Sequence, residues 1–349
     1  MDRRAASGAR HWKAIAALIA MITVGAPLGI PLEAEQAGGP SISGAGVVQV
    51  SIVYAQASAA FTPLFVAEEQ RFFAREGLEV RFTQITGSTA VATLVSGESQ
   101  ALAVGATEVA DFDATGGDLV MIAAGSNYPV FSLYARKDVR SVQDLAGKRI
   151  AVTRTGTSTD TTARIILDHF GLTGKVEIMT AGGTLAGIMA AMSAGIAAGG
   201  IISPPTTALA EAAGFKELVN GVRLGIPMTQ TALTVTRSYL VQHRETALRL
   251  LRAFLAAWAY IRNPANEAEV ERPIARYTRV TPEQAAVAYK AFFPIWQDKV
   301  PRVDSRGVAN AIRFSASPQV RRLTPASLID DSLLQELVRS GYVKSLYPD

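Results

Sequence analysis

From residue 48 onward, short apolar runs alternate with segments of helical periodicity, and this alternation leaves the chain few possible folds. The run VQVSIVY (48–54) indicates a first strand, and LEVRFTQ (78–84) alternates apolar and polar residues as a half-buried strand does. Further strands are expected over 101–105 and 119–125, with helical segments between them. Strands that alternate with helices predict an α/β fold, with a mainly parallel sheet flanked by helices.

A second series of the same kind begins near residue 130. Strands are expected over 130–136 and 150–153, and a helix is expected to reach Phe170 from a turn at 155–160. The last third of the chain is dominated by helical patterns, including one long helix predicted over 239–262. We therefore expect a helical C-terminal third that contributes packing to the α/β part.

One stretch, residues 178–210, contains no charged residue. An uncharged run of this length ordinarily suggests a membrane-spanning helix. Glycine pairs and Pro204-Pro205 divide the stretch into pieces of strand and helix length. The pattern favours the packed interior of an α/β unit.

The N-terminus has the pattern of an export signal. Residues 1–13 are basic, and residues 14–30 are uncharged and apolar. We expect a signal peptide over about 1–34, a flexible lead-in over 35–47, and a mature protein outside the cytoplasm, in the periplasm of a cell that has one. An uncleaved anchor is the alternative, although the apolar segment is short and is interrupted by glycine and proline.

Composition excludes several classes of function. Basic residues are interspersed with acidic ones, without a run of five, so nucleic acid is not an expected partner. The absence of cysteine excludes disulfides, thiolate metal sites, cysteine nucleophiles and a lipoprotein anchor. Of three histidines, one lies in the leader, and His169 and His243 fall in predicted helices. We therefore expect no catalytic residue, no metal site and no cofactor.

Several motifs occur in an order that is informative as a set. They are FTPLFVAEEQRFFAREGLEVRF, ITGSTA, LVSGESQALAVG, SVQDLAGKRIAV, TGTSTDTTARIIL, IISPPTTALAEAAGF and LIDDSLLQEL. In this order they resemble the ABC-transporter solute-binding proteins for aliphatic sulfonates, nitrate, taurine and thiamine-pyrimidine precursors. The resemblance covers about residues 48–340.

The resemblance implies a type II periplasmic-binding-protein fold, in which the chain crosses twice between two α/β lobes. Lobe one is expected at 48–126 plus 231–349, and lobe two at 127–230. The implied function is that of a monomeric solute-binding component, which captures a small organic molecule between the lobes and delivers it to an ABC permease.

The expected binding site lies where strands lead into helices, because ligands of open α/β sheets bind beyond the carboxyl ends of strands. Backbone N–H groups at helix starts hold anions, so a small anionic solute is expected, with a heteroaromatic one as the alternative. Aromatic residues near these turns are expected to form the pocket walls. The expected ligand contacts are Tyr54, Ser58, Phe61, Gly87, Ser88, Thr89, Thr107, Tyr128, Thr157, Ser158, Thr159 and Ser203.

Each of these assignments has an alternative. Serine and threonine at helix starts are preferred N-caps, so each hydroxyl residue has a structural explanation as well. Two other functions also remain open. An enzyme resembling the pyrimidine-precursor synthases shares the implied fold, and a sensing module for a membrane receptor has the same clamp.

Overall fold

The computed structural model of the chain describes residues 46–85 and 88–347. The expected signal peptide therefore lies outside the described residues, as does the lead-in apart from residues 46 and 47. The described part contains these strands: β1 Val48–Tyr54, β2 Leu78–Gln84, β3 Ala101–Val104, β4 Leu119–Ser126, β5 Ser132–Ala135, β6 Arg149–Val152, β7 Glu177–Thr180, β8 Gly199–Ile202, β9 Lys216–Asn220 and β10 Thr231–Thr236.

Helices separate most of the strands and make up the C-terminal third. The α-helices of the described part are α1 Thr62–Glu69, α2 Phe72–Arg75, α3 Ser88–Val95, α4 Ala106–Asp113, α5 Ser158–His169, α6 Leu185–Ser193, α7 Thr206–Ala212, α8 Arg237–Gln242, α9 Arg244–Arg262, α10 Glu267–Thr278, α11 Pro282–Phe292, α12 Ser305–Phe314, α13 Ser332–Arg339 and α14 Tyr342–Ser345. Short 3-10 helices occupy Ala59–Phe61, Val142–Leu145, Pro264–Asn266, Phe293–Trp296, Pro318–Arg322 and Pro325–Leu328.

The strands form two five-stranded sheets with the same arrangement. Sheet A has the order β2-β1-β3-β10-β4, and sheet B has the order β7-β6-β8-β5-β9. In sheet A, β1 pairs in parallel with β2 and β3, whereas β10 pairs antiparallel with β3 and β4. In sheet B, β6 pairs in parallel with β7 and β8, and β5 is the antiparallel strand. Each sheet therefore has four strands in one direction and one in the other.

The antiparallel strand of each sheet is supplied by a crossing between the sheets. The chain leaves sheet A after β4 and enters sheet B at β5, and it leaves sheet B after β9 and returns as β10. The two crossings are hydrogen-bonded to each other, since Gln230 N donates to Ser126 O and Met228 N donates to Asn127 O, both at 3.0 Å. We call each sheet with its helices a lobe, lobe one for sheet A and lobe two for sheet B.

The core follows from the alternation of side chains along the strands. Ile52 of β1 packs into an apolar cluster with α1 and α9, whereas its neighbour Val53 packs into a second cluster with α3 and α4 on the other face of sheet A. Lobe two has one cluster of its own, centred on β6 and β8 and including the fully buried Phe131. The C-terminal helices therefore cover lobe one.

The limits predicted for β1 and β2 agree with the structure. The uncharged stretch 178–210 is divided among β7, α6, β8 and α7, as its glycines and prolines predicted. The single helix predicted over 239–262 is wrong, because it breaks at His243 into α8 and α9. His243 has φ −126°, outside the helical range. None of the helices in the described ranges is long and apolar enough to cross a membrane.

Glycine in β8 allows α6 to pack directly on sheet B. A Cβ atom at Gly200 would lie 2.3 Å from Cγ2 of Ile188 and 2.9 Å from the sulfur of Met192. We predict that Gly200→Val lowers the free energy of unfolding by about 1–3 kcal/mol through overpacking, as measured by urea denaturation. The exposed strand-end variant Thr180→Val is the control and should change it by less than about 0.5 kcal/mol. Equal effects of the two variants would contradict this account of α6 packing.

Candidate functional site

The expected site residues lie at the ends of strands that face the boundary between the two lobes. Most of them occupy the loops after β1, β3, β6 and β8 or the first residues of the following helices. Gly87 lies outside the described residues. Ser88 and Thr89 begin α3 and are exposed.

The loops after β1 and β8 meet through two serines. Ser58 follows β1 and Ser203 follows β8, and both are fully buried. Their Oγ atoms lie 3.3 Å apart, which joins the two lobes by a hydrogen bond. The Oγ of Ser58 also accepts from Ala60 N at 3.3 Å, so the residue is both an N-cap and an interlobe contact.

Helices α4 and α5 form a second interlobe contact. Thr107 of α4 and Thr161 of α5 are fully buried, with their Oγ1 atoms 2.9 Å apart. Beside this pair, a Cβ atom at Gly105 would lie 2.1 Å from the Oγ of Ser158. The absence of a side chain at Gly105 therefore allows the start of α5 to approach α4 closely.

A carboxylate occupies the start of α5. Glu108 of α4 accepts from Ser158 N at 3.1 Å through Oε1, and from Ser158 Oγ at 3.0 Å through Oε2. Free N–H groups and the helix dipole make such a position favourable for negative charge. The sequence predicted that these donors face an anion, but in the structure the anion is a side chain of the protein. Glu108 was missed because an acidic residue in the first turn of a helix is an ordinary feature of helices.

Two cavities lie along the boundary between α4 and the loop before α5. The larger has a volume of about 360 Å³ and is lined by Ser88, Val91, Glu108, Asp111, Phe112, Thr115, Arg154, Thr155, Gly156 and Thr157. The smaller has a volume of about 30 Å³ and is lined by Ala55, Gln56, Glu108, Thr153, Arg154, Thr157, Ser158, Thr159 and Gly183. Glu108, Arg154 and Thr157 line both. We call the two together the cleft cavities.

The threonines of the loop before α5 have different roles. Thr159 is buried, and its Oγ1 accepts from Thr153 N at 3.0 Å, which ties the helix start to the end of β6. The Oγ1 of Thr157 donates to Arg154 O at 2.7 Å, and Thr157 also lines both cleft cavities. Thr159 therefore stabilises the start of α5 and lines only the smaller cleft cavity, whereas Thr157 lines both.

The predicted aromatic walls are mostly core residues in the structure. Tyr54 is 8% exposed and Phe61 is 3% exposed, and their ring centroids are 5.7 Å apart. Tyr54 also packs edge-on against Phe65 at 5.5 Å. Tyr128 lies half-buried at the first crossing, and its backbone N donates to the Oγ of Ser126 at 3.3 Å. None of the three lines a cleft cavity.

The acidic groups beside the cleft are poorly solvated. Burial raises the pKa of Glu108 to about 7, although the hydrogen bonds from Ser158 act in the opposite direction. Burial also raises the pKa of Asp111, against a hydrogen bond from Ser315, whose Oγ lies 2.6 Å from Oδ1. Arg154, an exposed residue of lobe two, lines the same cavity. The walls of this cavity therefore include both acidic and basic residues. No grouping of acidic and histidine side chains suited to a metal ion occurs in residues 46–85 or 88–347.

Comparison with known proteins places this geometry in context. Residues 58–268 match the family model described as NMT1/THI5 like. No curated protein matched the sequence. Among solved structures, the chain is similar to a protein of Bordetella bronchiseptica RB50, with 20% identity and a TM-score of 0.71 over 84% of this chain and 98% of that one.

Two further similar structures carry functional descriptions. The alkanesulfonate-binding protein SsuA of Xanthomonas axonopodis pv. citri, bound to MOPS, has 18% identity and a TM-score of 0.64 over 88% of this chain and 96% of that one. The periplasmic nitrate-binding protein NrtA of Synechocystis PCC 6803 has 14% identity and a TM-score of 0.68 over 87% and 91%. Together they confirm the expected two-lobed, type II periplasmic-binding-protein fold.

The raised pKa of Glu108 predicts how the free energy of unfolding depends on pH. Its carboxyl group has a pKa of about 7 in the folded chain and 4.5 ordinarily, so the folded state holds the proton more tightly. Stability from this group is complete below pH 4.5 and is lost as the pH rises through 7. Between pH 5 and 8, we expect the free energy of unfolding of the wild type to fall by on the order of 1–3 kcal/mol relative to Glu108→Gln.

Denaturation by urea at several pH values measures this difference directly. Other shifted carboxyl groups are present in both proteins, so their contributions cancel in the comparison, apart from that of Asp111, whose charge acts on Glu108. Parallel curves for the wild type and the variant would mean that Glu108 has the same pKa in the folded and unfolded chains.

Proposed function

Because the chain belongs to the NMT1/THI5-like family, whose model matches residues 58–268, we propose that it is the extracytoplasmic solute-binding component of an ABC importer. In this role it captures a small organic solute between its lobes and delivers it to a membrane permease. The alkanesulfonate- and nitrate-binding proteins with the same fold support the role, and the signal-like residues 1–34 support the location.

The observation that carries this proposal is the meeting of strand-to-helix loops from both lobes at one cleft. The pairs Ser58 with Ser203, Thr107 with Thr161 and Glu108 with Ser158 each join lobe one to lobe two. A solute that contacts both sides favours the closed arrangement, because only differential affinity for two states shifts their populations.

The proposed lobe limits are 48–126 plus 231–349 for lobe one and 127–230 for lobe two. The strand orders of sheets A and B support these proposed limits. The two crossings are then the hinge, where a few backbone dihedral angles absorb the closing movement.

Catalysis is not part of the proposal. The chain has no cysteine, and His169 and His243 are both exposed and line neither cleft cavity. A sensing role uses the same clamp and differs in its partner. A gene for a permease and one for an ATPase beside the coding sequence would favour transport, and a neighbouring receptor gene would favour sensing.

A solute screen tests the proposed function. Thermal denaturation with nitrate, sulfonates, aromatic carboxylates, amines and pyrimidines should reveal at least one solute that raises the melting temperature, since a ligand at 100 times its Kd adds about 2.7 kcal/mol. X-ray scattering should then show a smaller radius of gyration with that solute. Binding without compaction would contradict the clamp.

A disulfide between the lobes offers a second test. The chain has no cysteine, and the Oγ atoms of Ser58 and Ser203 are 3.3 Å apart, so the double variant Ser58→Cys, Ser203→Cys can form one disulfide. We predict that oxidation lowers the association rate of the solute by at least about tenfold, because the locked cleft excludes it, and that dithiothreitol restores the rate.

The two single-cysteine variants are the controls, and each should bind at the same rate under oxidising and reducing conditions. Equal rates for the oxidised and reduced double variant would mean that the solute does not enter between the lobes.

A further inference from the structure

Resting on the proposed function for the movement of the lobes, we propose that Asn127 clamps both crossings to lobe one. When the cleft opens or closes, lobe two then turns about residues 129–131 and 225–226, and the rest of each crossing moves with lobe one. A hinge is a few residues whose backbone dihedral angles absorb the movement. The contacts around Asn127 determine which residues of the crossings can act in this way.

The side chain of Asn127 joins three separate segments of the chain. Its Nδ2 donates to Arg302 O at 2.7 Å, and its Oδ1 accepts from Asp304 N at 3.0 Å and from the Oγ1 of Thr229 at 3.1 Å. Its backbone O also accepts from Met228 N at 3.0 Å. Asn127 therefore binds the first crossing both to the second crossing and to the segment that precedes α12.

The segment before α12 is fixed to lobe one. Pro301 O accepts from Ala124 N of β4 at 2.8 Å, and Val303 packs against the apolar cluster that lies on the α3 and α4 face of sheet A. Helix α12 adds the fully buried Val308 to the same cluster. Because its partners belong to the core of lobe one, Asn127 attaches the crossings to that lobe.

Lobe one also holds the second crossing at three further points. Thr229 O accepts from Ala106 N at the start of α4 at 2.9 Å. Asn310 of α12 donates from its Nδ2 to Pro227 O at 2.8 Å. Gly307 of α12 allows a close approach, since a Cβ atom there would lie 2.7 Å from Thr229 N. This part of the second crossing therefore moves with lobe one.

The crossings are attached differently on the side of lobe two. Phe131 is fully buried in the core of lobe two, and its O accepts from Gly221 N at 3.1 Å. Gly225 is exposed, has φ +68°, and a Cβ atom there would meet nothing within 4 Å beyond its chain neighbours. A glycine in such open surroundings can change its dihedral angles without losing a side-chain contact. Turning is therefore easiest between Pro227 and the core of lobe two.

The test measures distances between the lobes in the absence of solute. The chain has no cysteine, so spin labels attach only to cysteines that are introduced at exposed positions. Pulsed electron paramagnetic resonance then gives the distribution of each distance. The interlobe pairs are Val241 with Leu209 and Val95 with Ile196, and the control pair within lobe one is Val95 with Val241.

The variant Asn127→Ala removes the three side-chain hydrogen bonds of the clamp. We expect it to raise the population of altered interlobe distances at least about fivefold, the factor that corresponds to the loss of one hydrogen bond of typical strength. The matched control Asn266→Ala removes a hydrogen bond to Tyr260 O within lobe one and should leave these distributions unchanged. The pair within lobe one should give the same distance in every variant.

The variant Thr229→Val keeps the shape of a fully buried side chain and removes the hydroxyl group that donates to Asn127. It should change the interlobe distances in the same direction. The double variant Asn127→Ala, Thr229→Val should exceed Asn127→Ala by less than about twofold, because residues of one network do not act additively. The melting temperature of each variant checks that the chain is folded, and Thr229→Val decides the matter alone if Asn127→Ala does not fold.

The outcomes separate the clamp from the proposed function. Unchanged interlobe distances in Asn127→Ala and Thr229→Val would overturn the clamp, and so would an equal response to Asn266→Ala or additive effects in the double variant. Capture of a solute would stand in each of these cases, because the measurement uses no solute. A solute screen without a ligand would contradict the proposed function and would leave the measured distances as they are.

Discussion

The two crossings of the chain between the sheets are the constraint on which the rest of the structure depends. Strand β10 lies between β3 and β4 of sheet A, and β5 lies between β8 and β9 of sheet B. Each of these two antiparallel strands is hydrogen-bonded on both sides, so the strand that follows each crossing is held firmly. The crossings therefore fix where the lobes meet, and the strand ends that face this boundary become the walls of the cleft.

The start of α5 illustrates how a helix terminus and a ligand are related. Unsatisfied N–H groups at a helix start require an acceptor, but they do not determine where it comes from. Here Glu108 supplies the acceptor from the opposite lobe. It directly follows Thr107, which forms the fully buried contact with Thr161. The interaction between Glu108 and Ser158 joins the two lobes, since α4 belongs to lobe one and α5 to lobe two. The donors at the start of α5 are therefore engaged by the protein itself.

Much of the fold could be predicted from local sequence patterns. The alternation in 48–54 and 78–84 reflects strands with two different faces, and glycine and proline in 178–210 mark real breaks. These signals are local, because side-chain periodicity and turn conformation depend on neighbouring residues. The prediction of hydroxyl residues at the interlobe boundary also depended on this kind of signal, since such residues occur at helix starts.

The remaining features depend on residues far apart in the sequence. Tyr54 and Phe61 were expected to line a pocket, but they belong to an aromatic cluster that includes Phe65, on which Tyr277 of α10 stacks at 4.4 Å. Nothing near Tyr54 in the sequence indicates that contact. The role of Glu108 likewise depends on Ser158, 50 residues away. Local patterns therefore identified the turns, whereas tertiary contacts determined which of them face the cleft.

The late return of β10 to sheet A also affects the order in which the chain can fold. Strands β3 and β4 are complete by Ser126, yet β10, which lies between them, begins only at Thr231. Pairing across so long a separation closes a large loop and slows folding. Until β10 arrives, the facing edges of β3 and β4 remain unpaired, and unpaired edges promote association with other chains. Sheet A thus keeps two unpaired strand edges throughout the synthesis of lobe two, and only the pairing of β10 with β3 and β4 removes them.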